Sequence, residues 1–191
     1  MRNVWRLVGI LVDPSAEWAR IAKEPGDAVF LFISTVVPLA LVPAVFGFVG
    51  ACVVGVVVPG EGEVRVPILT GLATAVAGYA ANFAVVALLA AVIALAAPLF
   101  GGRRNFANAL NLAVFSYAPV WLAGIFLLLP GLRFLMLLGF YGVYLLIVGL
   151  PSMTDTPPQN SPSFAALILV FACALTFIAL SAPYALFGRV V

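Results

Sequence analysis

The chain begins with a short stretch of mixed apolar and charged positions and then turns into five long apolar runs separated by brief polar breaks. Within Met1–Asp27, Val4, Trp5, Val8 and Leu11–Val12 can form one apolar face. Asp13-Pro14 reads as a fresh helix start, with a carboxylate able to cap free backbone N–H groups and a proline at the first helical position. The helix predicted over Pro14–Glu24 puts Trp18 and Ile21 on one side. Glu17, Arg20 and Glu24 fall on the other, at i,i+3 and i,i+4 spacing. Pro25-Gly26 closes the segment. It is expected to lie on the membrane surface with its tryptophans at headgroup depth.

The apolar runs predict spans over about 28–58, 67–98, 105–129, 134–150 and 164–187. A bilayer needs roughly 20 residues of helix, so the first run is long. It contains Pro38 and Pro43, and a kinked helix or two shorter pieces would both accommodate them. The second run carries Gly71, Ala75, Gly78 and Asn82 on one stripe, the pattern of a close helix–helix seam. Asn82 at its centre is expected to bond across that seam, at roughly 1 kcal/mol. In the third run Asn105, Asn108 and Asn111 fan over about 120° of the helix. An unpaired amide facing lipid costs several kcal/mol, so Asn108 and Asn111 must face the bundle or a wet recess. The fourth run follows a tight Pro130-Gly131-Leu132-Arg133 turn. It carries Tyr141 and Tyr144 on one face, uses Gly139, Gly142 and Gly149 as packing points, and ends at Gly149-Leu150-Pro151. The short connection makes spans three and four antiparallel neighbours, so the asparagine stripe is the expected partner of the tyrosine hydroxyls.

Composition agrees. Hydrophobic residues make up 65% of the chain and charged residues 8%, against about a quarter charged in a soluble domain. The expected fold class is all-α: an integral membrane bundle of five transmembrane helices (28–191) preceded by an amphipathic interfacial segment (1–27). The first apolar run is too long for a cleavable signal, so it serves as its own insertion signal. A net charge of +2 and no long basic cluster exclude nucleic acid as a partner. With the N-terminus inside, Arg2, Arg6, Arg20, Lys23, Arg103 and Arg104 stand on the inner side, and Arg65, Arg133 and Arg189 on the outer. That balance predicts a cytoplasmic N-terminus and an external C-terminus.

The candidate chemistry is sparse. All seven carboxylates lie outside the predicted spans, histidine is absent, and Cys52 and Cys173 sit alone in apolar runs. No metal site, cofactor or enzymatic constellation is expected. The candidate intramembrane polar cluster is Asn82, Asn108, Asn111, Ser116, Tyr141 and Tyr144.

Three stretches carry a resemblance. Asp13-Pro14-Ser15-Ala16-Glu17-Trp18-Ala19-Arg20-Ile21 resembles the opening of the Yip family, membrane proteins whose founding members interact with Rab-type small GTPases. Phe106-Ala-Asn-Ala-Leu-Asn111 with Ser116-Tyr117-Ala118-Pro119 is similar to that family's third span. Tyr141-Gly-Val-Tyr144-Leu-Leu-Ile-Val-Gly149-Leu-Pro151 is similar to its fourth span and exit. The positions that bear the likeness are Asp13, Pro14, Trp18, Tyr117, Pro119, Gly149 and Pro151. The resemblance implies a five-span protein with a cytosolic N-terminus, and the style of the chain points to a bacterial inner membrane member. A Rab-type GTPase is not expected as a partner, because the long polar N-terminal region of the eukaryotic members is missing. The leading expectation is a non-enzymatic scaffold or adaptor acting through membrane lipids, another membrane protein or a second copy of itself. The alternative is a small channel or transporter that uses the polar cluster as its path.

Overall fold

The computed structural model describes residues 2–24, 27–58, 60 and 62–187. The expected breaks at Pro25-Gly26 and Pro59 and the basic residue Arg189 lie outside them. Two short helices, α1 (Arg2–Val12) and α2 (Pro14–Ile21), precede the bundle. Asp13 caps α2 by accepting from Ala16 N at 3.3 Å, and Pro14 takes the first helical position. Among the described residues five helices follow that are long and apolar enough to cross a membrane: α3 (Ala28–Val54), α4 (Ile68–Phe100), α5 (Phe106–Leu128), α6 (Pro130–Thr154) and α7 (Ser161–Phe187).

The first span is one continuous helix ending at Val54. It contains two π-helical segments, Phe32–Val36 and Gly50–Val54. Pro38 has no N–H to offer the carbonyl of Ser34. The wider turn just before it carries the ladder past that gap, with Val37 N–H bonding Phe32 O. The helix expected to continue to Val58 gives way instead at Gly55, whose φ of 109° is open only to glycine among common residues. Val56–Val58 (β1) then pairs antiparallel with Gly62–Val64 (β2), Val57 opposite Glu63. Three valines in a row favour a strand over a helix at this end of the bundle.

α6 differs most from expectation. There is no four-residue turn before it. The chain breaks at Leu129, with φ −117° and ψ 118°, and re-enters helix at Pro130. Pro130–Phe140 is then a 3-10 run of 11 residues, where runs beyond three or four are uncommon. At three residues per turn, side chains three apart eclipse. Phe134, Leu137 and Phe140 consequently stand in one outward ridge, each more than half exposed. The 3-10 rise also stretches 11 residues over about 22 Å, where an α-helix would cover about 16 Å. α6 also runs past Pro151 to Thr154, further than the Gly149-Leu150-Pro151 stop that the sequence suggests. Thr154 Oγ1 donates to Leu150 O at 2.7 Å, and Asp155 ends the helix in the left-handed conformation, φ 55°.

α5 is the buried centre. Leu112, Ala113, Val114, Phe115 and Trp121 have no exposed surface, and α4, α6 and the N-terminal helices pack around it. Close approach is arranged by glycine. A Cβ on Gly142 would run into the carbonyl of Ser116, one on Gly139 would stand 3.3 Å from Val120 Cα, and one on Gly124 would stand 2.7 Å from Pro43 Cβ. The small-residue stripe of α4 is not one seam. Gly71 is pressed against Cys52 and Phe48, while Gly78 meets nothing within 4 Å.

Candidate functional site

The two N-terminal helices pack against the bundle. Ile10, Trp18 and Ile21 are buried at 1%, 0% and 2% exposure and belong to the main core. Trp18 enters a slot on α6 that only a glycine leaves open. A Cβ at Gly149 would stand 2.6 Å from Trp18 Cε2 and 2.7 Å from Leu112 Cδ1. The indole also meets Phe115 edge-on, with centroids 6.3 Å apart. Trp18 is thus packed into the bundle core. Its large apolar ring gains from burial in a glycine-lined slot, although its Nε1 has no hydrogen-bond partner among the described residues. The Asp13-Pro14-Trp18 stretch and the Gly149-Leu150-Pro151 stretch, far apart in sequence, meet here. Arg6 pairs with Glu24 across the two short helices, and Tyr141 Oη donates to Leu11 O at 3.0 Å.

Docking in this way gives α1 two faces. Ile10 points inward, with Leu7 and Leu11 packed against the core. Trp5, Val8 and Val12 point outward at 74%, 47% and 79% exposure. They fall at i, i+3 and i+7, one apolar stripe on the outer side.

The polar cluster read from the sequence does not come together. Asn82 Nδ2 donates to Gly78 O in its own helix, and its Oδ1 accepts from Trp121 Nε1 at 2.8 Å, tying α4 to α5. Asn111 is buried and donates to Ala107 O at 2.9 Å. Ser116 is buried, and its hydroxyl has no partner among the described residues. The expected pairing of Tyr141 with the asparagine stripe is absent. The N-terminal helices, unseen by a span-by-span reading, offer Tyr141 the Leu11 carbonyl instead. Tyr144 is half exposed on the outer face beside Tyr141. Tyr117 turns to the last span, its hydroxyl 3.2 Å from Thr176 Oγ1, and Pro119 is buried within α5.

Asn108 has a different setting. It lines a recess of about 570 Å³ at one end of the bundle, between α2, the 101–105 loop and the end of α6. Lys23, Arg103, Arg104, Asn105, Ser152 and Asp155 share the lining. Two loops brace it. Arg103 N–H donates to Thr154 O at 2.7 Å, Arg103 Nε donates to Asp155 Oδ2 at 2.8 Å, and Asn160 Nδ2 donates to Phe100 O at 3.0 Å. Gly102 allows the approach, since a Cβ there would lie 2.6 Å from Thr156 Oγ1. The adjacent arginines were legible as a basic loop, but their convergence with Lys23, some 80 residues earlier, had no sequence signal. Among the described residues no group of His, Cys, Asp and Glu could hold a metal ion.

Comparison with known proteins gives one consistent result. The Yip1 domain matches residues 8–181. Inner membrane protein YohC of Escherichia coli strain K12 is 29% identical over 199 aligned positions, which cover 98% of this chain and 100% of that protein. The same protein of Escherichia coli strain CFT073 matches equally. No solved structure matches the chain.

Proposed function

The chain belongs to the Yip1 domain family, and from that premise we propose that it is a non-enzymatic scaffold or adaptor of a bacterial inner membrane, acting through lipids or another membrane protein. The observation that carries this reading is the two-faced helix α1. Its inner side is anchored beside Trp18 in the bundle core, which leaves Trp5, Val8 and Val12 presented outward on a rigid platform. An apolar stripe held in that way suits a bilayer surface or the apolar flank of another membrane helix. The name of the similar protein from Escherichia coli supports the membrane assigned here. Lys23, Arg103 and Arg104 lie at the same end of the bundle as α2, and the excess of basic residues at that end favours a cytoplasmic N-terminus.

For the channel reading, Asn82 bonds Gly78 O and Trp121 Nε1 and Asn111 bonds Ala107 O, which suits helix packing as well as a polar path. A photo-crosslinking side chain at position 5 or 12 in living cells tests the scaffold role. Adducts with lipid or with one stoichiometric polypeptide are expected, and Val8→Ser should diminish them. Adducts only within the chain itself would overturn the proposal.

A further inference from the structure

We propose that the basic recess between α2, the 101–105 loop and the end of α6 binds a phosphate-bearing anion, from an acidic phospholipid headgroup or a soluble phosphate compound. Three cations, Lys23, Arg103 and Arg104, face a single carboxylate, Asp155. Asp155 is taken by Arg103. Among the described residues Lys23 and Arg104 have no ion-pair partner, so two positive charges stand uncompensated at one cavity. A guanidinium fork and an ammonium together suit a phosphate group. Asn108 adds an amide whose side chain bonds nothing among the described residues, and Ser152 adds a hydroxyl. The recess also opens beside the first turn of α5, whose α-helical part runs for 18 residues from Phe106 and whose positive dipole end favours an anion. Its volume of about 570 Å³ falls within the range of small-ligand pockets, far larger than a lone ion requires. The cavity lies where three helices long enough to cross a membrane begin or end, and the ends of such helices are where lipid phosphates are met.

The braced loops give the site a built character. Arg103 is held at both its backbone N–H and its guanidinium, by Thr154 and Asp155. The Asp155 carboxylate competes with the incoming anion for that guanidinium. Replacing it with asparagine, which also tolerates the left-handed backbone at this position, should free Arg103 and tighten binding. Neutralising Lys23 and Arg104 should loosen it.

The inference deepens the lipid arm of the proposed function and rests on that reading only for its membrane setting. The test uses the full chain in mixed micelles of a neutral detergent with phosphatidylcholine, titrated with phosphatidylglycerol and read by native mass spectrometry. Wild type should retain one phosphatidylglycerol in preference to phosphatidylcholine. K23Q/R104Q should bind it about 30-fold more weakly, from about one cation's worth at each of two positions, D155N more tightly, and R65Q, on the β-hairpin side, as wild type does. Binding that is equal for the two lipids, or unchanged in K23Q/R104Q, would overturn the proposal. Inorganic phosphate and glycerol 3-phosphate supply the second arm. Displacement of the lipid by either at comparable concentration assigns the site to a soluble phosphate compound, and failure to displace it assigns the site to the headgroup. Lost crosslinks from α1 with phosphatidylglycerol binding intact would sink the scaffold reading alone. The opposite pattern would sink the recess alone.

Discussion

Replacing Gly149 with alanine puts one carbon where the structure has no room. The new Cβ would lie 2.6 Å from Trp18 Cε2, 2.8 Å from Trp18 Nε1 and 2.7 Å from Leu112 Cδ1, where unstrained carbon pairs sit roughly 3.5–4.0 Å apart. Leu112 meets the new carbon only through Cδ1, the far end of a flexible side chain. Trp18 meets it with a rigid ring that is fully buried and wedged against Phe115. α2 must therefore back away from α6, at an overpacking cost of about 1–3 kcal/mol. Trp18→Ala alone empties the slot and should cost about 3–5 kcal/mol. In the Trp18→Ala background the same Gly149→Ala change meets no ring and should cost almost nothing. The two changes are predicted to be non-additive by about 1–3 kcal/mol, in the range of directly contacting residues. Equilibrium unfolding in mixtures of a mild detergent with sodium dodecyl sulfate, followed by far-ultraviolet circular dichroism, measures all four corners of the cycle. Limited trypsin digestion at Arg20 and Lys23 adds a local readout, because both bonds should cleave faster once α2 lifts. Additivity within about 0.5 kcal/mol, with trypsin cleavage unchanged in Gly149→Ala, would refute the docked arrangement.

Three further outcomes follow from particular contacts. Asn82→Ala should cost about 1 kcal/mol by stripping Trp121 Nε1 of its acceptor, and Trp121→Phe in the same background should show coupling; independent effects would count against the bridge. Tyr141→Phe should weaken docking of α1 by losing the bond to Leu11 O, about 1 kcal/mol, and combine additively with Asn111→Ala, whose amide bonds elsewhere; coupling between 111 and 141 would contradict the geometry. In a chain whose Cys52 and Cys173 are replaced, cysteine at 108 should react with a membrane-impermeant maleimide applied to inside-out vesicles, and cysteine at 111 should stay silent. Equal labelling at both would indicate a continuous wet path.

The sequence by itself determined the class and the count of elements, because the bilayer imposes a one-dimensional code. Each span must satisfy its own backbone and present apolar side chains, so five runs of 28–58, 67–98, 105–129, 134–150 and 164–187 are readable without knowing their partners. Local rules also held where the physics is local. Asp13 caps the helix that Pro14 starts, and Gly142 and Gly149 are points of close approach. What the tertiary structure alone decided is who meets whom. Trp18 reads as the apolar side of an interfacial helix; its entry into the slot left by Gly149 is a tertiary contact that its own helix does not encode. The pairing of Tyr141 with Asn111 follows from their shared helix pair, yet each bonds a carbonyl instead, one on α1 and one in its own helix. The local departures from α-helix were also beyond pattern reading, because π and 3-10 turns are chosen by small differences in packing. The gathering of Lys23, Arg103, Arg104 and Asn108 around one recess depends on how α2 is seated against α6. That seating is a product of side-chain volumes meeting across the bundle, which no periodicity along the chain records.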